Sequence, residues 1–145
     1  MLDVLFRLFK PKTSHHLTGL TPSDIGFECP RALLVRYRLE IIERDNKQPI
    51  PGSFWGVCEA GVIAHTVFAR NDTPVHSLLH EAGHLILLPE EKRAAIHTDA
   101  TDSVPEEDAV CILQALLGDQ LAGVGRERIW TDMDEWGYTF RLGSA

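Results

Sequence analysis

Cysteine is scarce in this 145-residue chain: Cys29, Cys58 and Cys111 are widely spaced, and no two form a C-x-x-C pair. That excludes a disulfide framework and a Cys-rich zinc site, and it fits a reducing cytoplasm. Long apolar runs are missing too, since no stretch approaches the roughly 18 consecutive apolar residues that a bilayer crossing requires. There is no basic excess. Lys plus Arg number 14 against 21 for Asp plus Glu, a formal charge of −7, which removes the electrostatic footprint of general phosphate-backbone binding and argues against nucleic acid as a partner. Internal repeats and low-complexity segments are also absent. What remains is 44% hydrophobic and 24% charged, the balance of an ordinary globular domain with room for one core.

The chain therefore reads as one domain over residues 1–145, with an N-terminal helix and irregular segment at 1–30, a core at 31–121 and a docking segment at 122–145. In the first ten residues, Asp3 and Arg7 interrupt an otherwise apolar stretch. This predicts a short amphipathic helix that packs through Leu5, Phe6, Leu8 and Phe9, and not a secretory leader. Pro11, Pro22 and Pro30 mark irregular backbone. From Leu33 to Ile41 the odd positions are all apolar while Arg36, Arg38 and Glu40 face the other way, a period of two that predicts a half-buried strand. Residues 53–58 and 61–69 read as further β segments of a small antiparallel sheet.

Seven histidines are present, a modest surplus for this length, and two of them stand in a pattern. Residues 73–89 predict a helix capped by Thr73, with Pro74 at its first position and Pro89 closing it. Inside lies His80-Glu81-Ala82-Gly83-His84. Side chains four apart stack on one helical face, so both imidazoles can address a single ion while Glu81 reaches the edge of its open coordination position. Zinc there lowers the pKa of a bound water towards roughly 7, and Glu81 can take its proton and later pass it to a leaving amine. Shuffling this composition yields an HExxH match with a probability of about 0.02, so the weight falls on its context in a capped apolar helix after a strand. Gly83, costly in mid-helix, implies a packing or access role.

Such a site needs a third protein ligand. The compact HExxHxxGxxH pattern fails, because Leu87 and Glu90 occupy its glycine and third histidine positions. Residues 103–118 predict a second helix with an apolar stripe of Ala109, Ile112, Leu113, Leu116 and Leu117. At 100° per residue Glu106 falls on that stripe, with Glu107 and Asp108 on opposite flanks, so Glu106 is the expected third ligand. Ser103-Val-Pro-Glu106 also has the form of a capping box. His97, Asp99 and Asp102 are weaker candidates in the connecting loop. His76 reads as a surface or cleft-lining histidine, while His65, His15 and His16 read as structural or surface residues.

His80-Glu-Ala-Gly-His84 followed by Glu106-Glu-Asp-Ala109-Val-Cys-Ile-Leu-Gln-Ala-Leu-Leu117 resembles the small gluzincin metallopeptidases, particularly the ImmA/IrrE group. In that group HExGH is followed by E-x-E-A-x-x-F-A-x-x-L-L. The resemblance spans residues 61–117 and implies an α+β, zincin-like fold in which a small antiparallel or mixed sheet packs on an HExxH helix and a Glu-bearing helix. It also implies His80, His84 and Glu106 as zinc ligands and Glu81 as general base. Asp108, Val110, Ile112 and the Gly118-Asp119 pair depart from the group's pattern.

The expected activity is zinc-dependent hydrolysis of a peptide bond in a peptide or protein substrate. The alternative is a zinc-binding regulatory or interaction module, which a fourth protein ligand would mark. Tyr138 and Arg141 are candidate oxyanion stabilisers, although the alternating Trp136, Tyr138 and Phe140 predict a strand or docking segment.

Overall fold

A computed structural model describes residues 19–53, 56–98 and 103–137. Its elements run α1 (Pro22–Ile25), α2 (Glu28–Val35), β1 (Glu40–Arg44), β2 (Gly61–Ile63), β3 (Thr66–Arg70), α3 (Val75–Leu87), a 3-10 helix (Glu90–Ala95), α4 (Val104–Asp119) and α5 (Arg126–Trp136). The expected α+β class holds. The sheet is mixed, however, with strand order β1-β3-β2: β3 lies parallel to β1 and antiparallel to β2. No helix among the described residues is long and apolar enough to cross a membrane.

The strand expected over residues 33–41 is corrected. Its first part is the end of α2, where Leu33 and Leu34 are buried and Val35 is 65% exposed. Arg38 then turns with φ 60°, and Leu39 N–H returns to the Leu34 carbonyl. Only from Glu40 does the chain extend. The alternation arose because a helix end and a strand start, each with its own apolar residues, abut across a tight turn. Residues 61–69 are likewise two strands, hinged at Ala64 with φ 53° and at His65. Of the segment 53–58, the described residues form no strand.

Helix α3 is the centre of the molecule. It starts one residue later than expected: Pro74, extended at ψ 136°, stands at the cap in place of Thr73, whose hydroxyl accepts the Arg70 N–H and caps no helix N–H. Ten of its residues, from Val75 to Leu85, are buried, because the sheet lies against one side and α4 and α5 pack on others. The apolar residues of the helix meet the core, and its polar face of His76, Ser77, His80 and His84 is buried as well and must find partners inside. Leu88 turns extended ahead of Pro89 and ends it. Beyond that end, the buried Arg93 guanidinium donates to the carbonyls of Leu85 and Tyr37, each at 2.9 Å, and so ties the C-terminus of α3 to the α2–β1 turn.

Two further contacts fix how the neighbours meet α3. Ala60 N–H donates to Ser77 Oγ at 3.0 Å, docking the approach to β2 on the first turn of α3. A Cβ on Gly83 would lie 3.1 Å from Val110 Cγ1, so the glycine permits the close approach of α4 that its mid-helix position implied. The segment expected to close the core as a strand or docking segment is helix α5 over its described part, with Ile129, Asp132, Met133 and Trp136 buried at helical spacing. Asp132 accepts from Leu20 N–H and Arg128 Nε, both at 2.9 Å, which fixes the incoming chain to α5.

Candidate metal centre

Helix α3 carries His80 and His84 one turn apart, both facing α4. Their Nε2 atoms lie 3.0 Å from each other. The carboxylate that meets them is Glu107, not Glu106. Glu107 Oε2 stands 3.3 Å from His80 Nε2, and Oε1 stands 3.2 Å from His84 Nε2. All three side chains are buried, at 3%, 5% and 0% exposure. One donor atom from each falls within 4.8 Å of the others.

Glu106 is corrected to an exposed position at the helix start, where its N–H donates to the Ser103 hydroxyl at 3.4 Å. The apolar stripe that selected it coincides only in part with the buried face of α4. Ala109, Ile112 and Leu116 are exposed, while Glu107, Val110, Cys111, Gln114, Ala115, Leu117 and Gly118 are buried. Along one line of that face run Glu107, Cys111, Gln114 and Gly118, spaced by four, three and four residues. A hydrophobicity argument passes over this line because polar and small residues occupy it. The legible signal was the spacing itself, a carboxylate with an amide two turns on.

Burial alone would raise the Glu107 carboxyl, but the two imidazoles facing it hold it down at about 2. Burial pushes His80 down, and the adjoining Cys111 thiol and Glu107 carboxylate overcome this and hold the ring well above its usual value. The pocket is thus built to hold positive charge. Both carboxylate oxygens of Glu107 are buried, and neither accepts a hydrogen bond among the described residues. A buried carboxylate needs positive charge beside it, and the two imidazoles that face its oxygens can supply that charge as bound protons or hand the place to a cation held by the oxygens and the two nitrogens. Two imidazole nitrogens and a carboxylate are a donor set that zinc accepts. The residues present therefore fit a divalent ion.

His80 has a partner behind it: Gln114 Oε1 lies 2.8 Å from His80 Nδ1, and Gln114 Nε2 donates to the His76 carbonyl at 2.9 Å. Glu81 follows His80 directly and is half-buried. His76 is neither at the surface nor lining a cleft. It is 1% exposed, with its ring edge-on to Trp136 at 5.2 Å between centroids, and burial with the nearby His80 charge depresses it to about 3. His65 is exposed in the β2–β3 turn, and His97 is exposed in an isolated bridge to Ile63. Asp108 is half-buried outside the cluster. Asp99, Asp102, Tyr138, Arg141, His15, His16 and the expected first helix lie outside the described residues.

No family model, no curated protein and no solved structure matches the chain, so any function assigned to it rests on this geometry.

Proposed function

We propose that this chain is a small zinc-dependent metallopeptidase of the gluzincin type, with His80, His84 and Glu107 holding the ion and Glu81 as general base. The observation that carries the reading is the convergence of one donor atom from each of three buried side chains, two of them from an HExxH helix. Bound zinc supplies Lewis acidity and a water of lowered pKa. The residues of the chain supply the rest. His80 and His84 are aimed by one rigid, buried helix, and Glu107 is delivered by a second helix packed on it through Gly83. Glu81, half-buried on the first helix, accepts the proton of the attacking water and returns it to the leaving amine. The substrate class is a peptide or protein segment.

One observation favours a second reading, a zinc-binding regulatory or interaction module. The ligand side chains are buried almost completely, as in metal sites whose role is to hold a fold. The two readings separate on Glu81. In the zinc-loaded protein, Glu81→Gln leaves metal content unchanged and abolishes hydrolysis of a mixed peptide library if the chain is a peptidase. Wild-type protein with stoichiometric zinc and no cleavage of any library member would favour the module. Wild-type protein that takes up no zinc would refute both.

A further inference from the structure

We propose that Gln114 is the positioning residue of this centre: its side-chain amide locks His80 in the tautomer that presents an unprotonated Nε2 towards His84 and Glu107. The inference rests on the metal-site reading for its purpose, though not for its geometry.

The His76 backbone carbonyl fixes which way the Gln114 amide points. A carbonyl oxygen can only accept hydrogen bonds, and its two lone pairs let it serve the helix and a side chain at once. Gln114 places a nitrogen 2.9 Å from the His76 carbonyl oxygen, and the opposite amide orientation would set two acceptors against each other in a buried place. The amide oxygen is therefore the atom 2.8 Å from His80 Nδ1. Since that oxygen only accepts, Nδ1 must carry the hydrogen. In a neutral imidazole the other nitrogen is then a bare lone pair. That nitrogen is Nε2, the atom 3.0 Å from His84 Nε2 and 3.3 Å from the Glu107 carboxylate.

Sequence spacing makes the arrangement possible. His76 and His80 are one turn apart on α3, so a single amide from α4 spans the carbonyl of one turn and the imidazole of the next. Glu107 and Gln114 are seven residues apart, two turns of α4, so ligand and positioning group share one face. Gln114 is fully buried, so no bulk water competes for either bond. Partners of this kind orient a ligand ring, and their loss weakens metal binding by about 10–100-fold.

The test uses the full chain with zinc and cadmium-113 as probes. In metal-free wild-type protein, above the pH at which the ring loses its second proton, the nitrogen-15 shifts of His80 are expected to show Nδ1 protonated and Nε2 bare. The reverse tautomer overturns the inference, whether or not the protein binds metal. In the cadmium-loaded protein, coupling is expected to Nε2 of His80, and coupling to Nδ1 overturns it. Gln114→Met keeps the length but removes the acceptor, and is expected to lower zinc affinity about 10–100-fold. Gln114→Glu keeps an acceptor for Nδ1–H and is expected to recover part of that loss. Equal affinity in wild type and Gln114→Met overturns the inference. If Gln114→Met does not fold, the wild-type tautomer decides it. A wild type that takes up no zinc defeats the metal reading and leaves the tautomer measurement as the judge of Gln114.

Discussion

The Nε2 atoms of His80 and His84, four residues apart on one helix, stand 3.0 Å from each other in a space that also holds both oxygens of Glu107. Two bare imidazole nitrogens repel at that distance unless a proton or a cation lies between them. Zinc and protons therefore compete for one place. Zinc binding is expected to release protons, and affinity is expected to climb as the pH rises through the elevated pKa of His80. Titration calorimetry in two buffers of different ionisation enthalpy measures the release. The metal-free protein shows the opposite trend. A ring whose folded pKa is raised contributes stability that is fully present below about 6.5 and is lost as pH rises through the folded value. Zinc affinity that is flat from pH 6 to 9 would contradict both statements.

The identity of the third ligand is tested by a pair of neighbouring substitutions. Glu107→Gln is expected to weaken zinc binding more than about 100-fold, beyond what loss of an outer partner gives. In the metal-free protein it also breaks a buried charged cluster, which costs about 3–5 kcal/mol. Glu106 is exposed. Glu106→Gln should change stability by no more than about 0.5 kcal/mol and leave zinc affinity unaltered. Competition against a zinc indicator and urea unfolding of both variants provide the check, and the reverse ranking would restore Glu106.

These residues also show what pattern alone reveals. The HExxH helix was legible, to within a residue at its start, because its bounding prolines, its apolar residues and its histidine spacing all depend on local geometry, which one segment carries by itself. Glu107 was not legible. Choosing a ligand on α4 required knowing its buried face, and that face is marked by Glu107, Gln114 and Gly118 instead of Ile112 and Leu116. Polar residues facing α3 weaken the amphipathic signal, so the hydrophobic stripe is split: Ala109, Ile112 and Leu116 face solvent while Leu113 and Leu117 pack on the core. The 33–41 segment failed for another reason. Its alternation crossed the turn at Arg38, and a period of two read across a helix–strand junction has no single backbone to belong to. The parallel pairing of β1 with β3 is non-local and left no mark on either strand.

His76 supplies an acid-side prediction. Its folded pKa is depressed to about 3 by burial and by the His80 charge, whereas an unfolded histidine titrates near 6.5. A depressed folded value means that the unfolded chain binds the proton more readily. Stability is then present above 6.5 and falls as the pH drops towards 3, by at most about 1.4 kcal/mol per pH unit. Glu107 adds a loss of its own only between about 4.5 and 2. Over the interval from 6.5 to 4.5 the His76 contribution is therefore read as a difference between two proteins. His76→Phe keeps an aromatic ring beside Trp136 and removes the titration, so its unfolding free energy should fall less steeply there than that of the metal-free wild type. Parallel slopes in the two proteins would show that His76 remains accessible to protons.

Gly83 connects packing to the centre. Replacing it with Ala improves helix propensity by about 1 kcal/mol. The new Cβ, however, would stand 3.1 Å from Val110 Cγ1. Val110 is buried and β-branched, so its side chain has little rotamer freedom with which to move aside. Overpacking of this kind typically costs about 1–3 kcal/mol. The two effects nearly offset, and the melting temperature of metal-free Gly83→Ala should be unchanged or lower by a few degrees. Zinc affinity responds differently. Val110 is one turn from Glu107 on α4, so relief of the contact by moving α4 outward also draws the carboxylate away from His80 and His84. The expected result is a loss of about tenfold or more in zinc affinity at almost constant metal-free stability, read by competition titration and thermal unfolding of the same preparation. A clear rise in melting temperature with unchanged affinity would mean that α4 has room to spare and that Gly83 does not set the distance between the ligand helices.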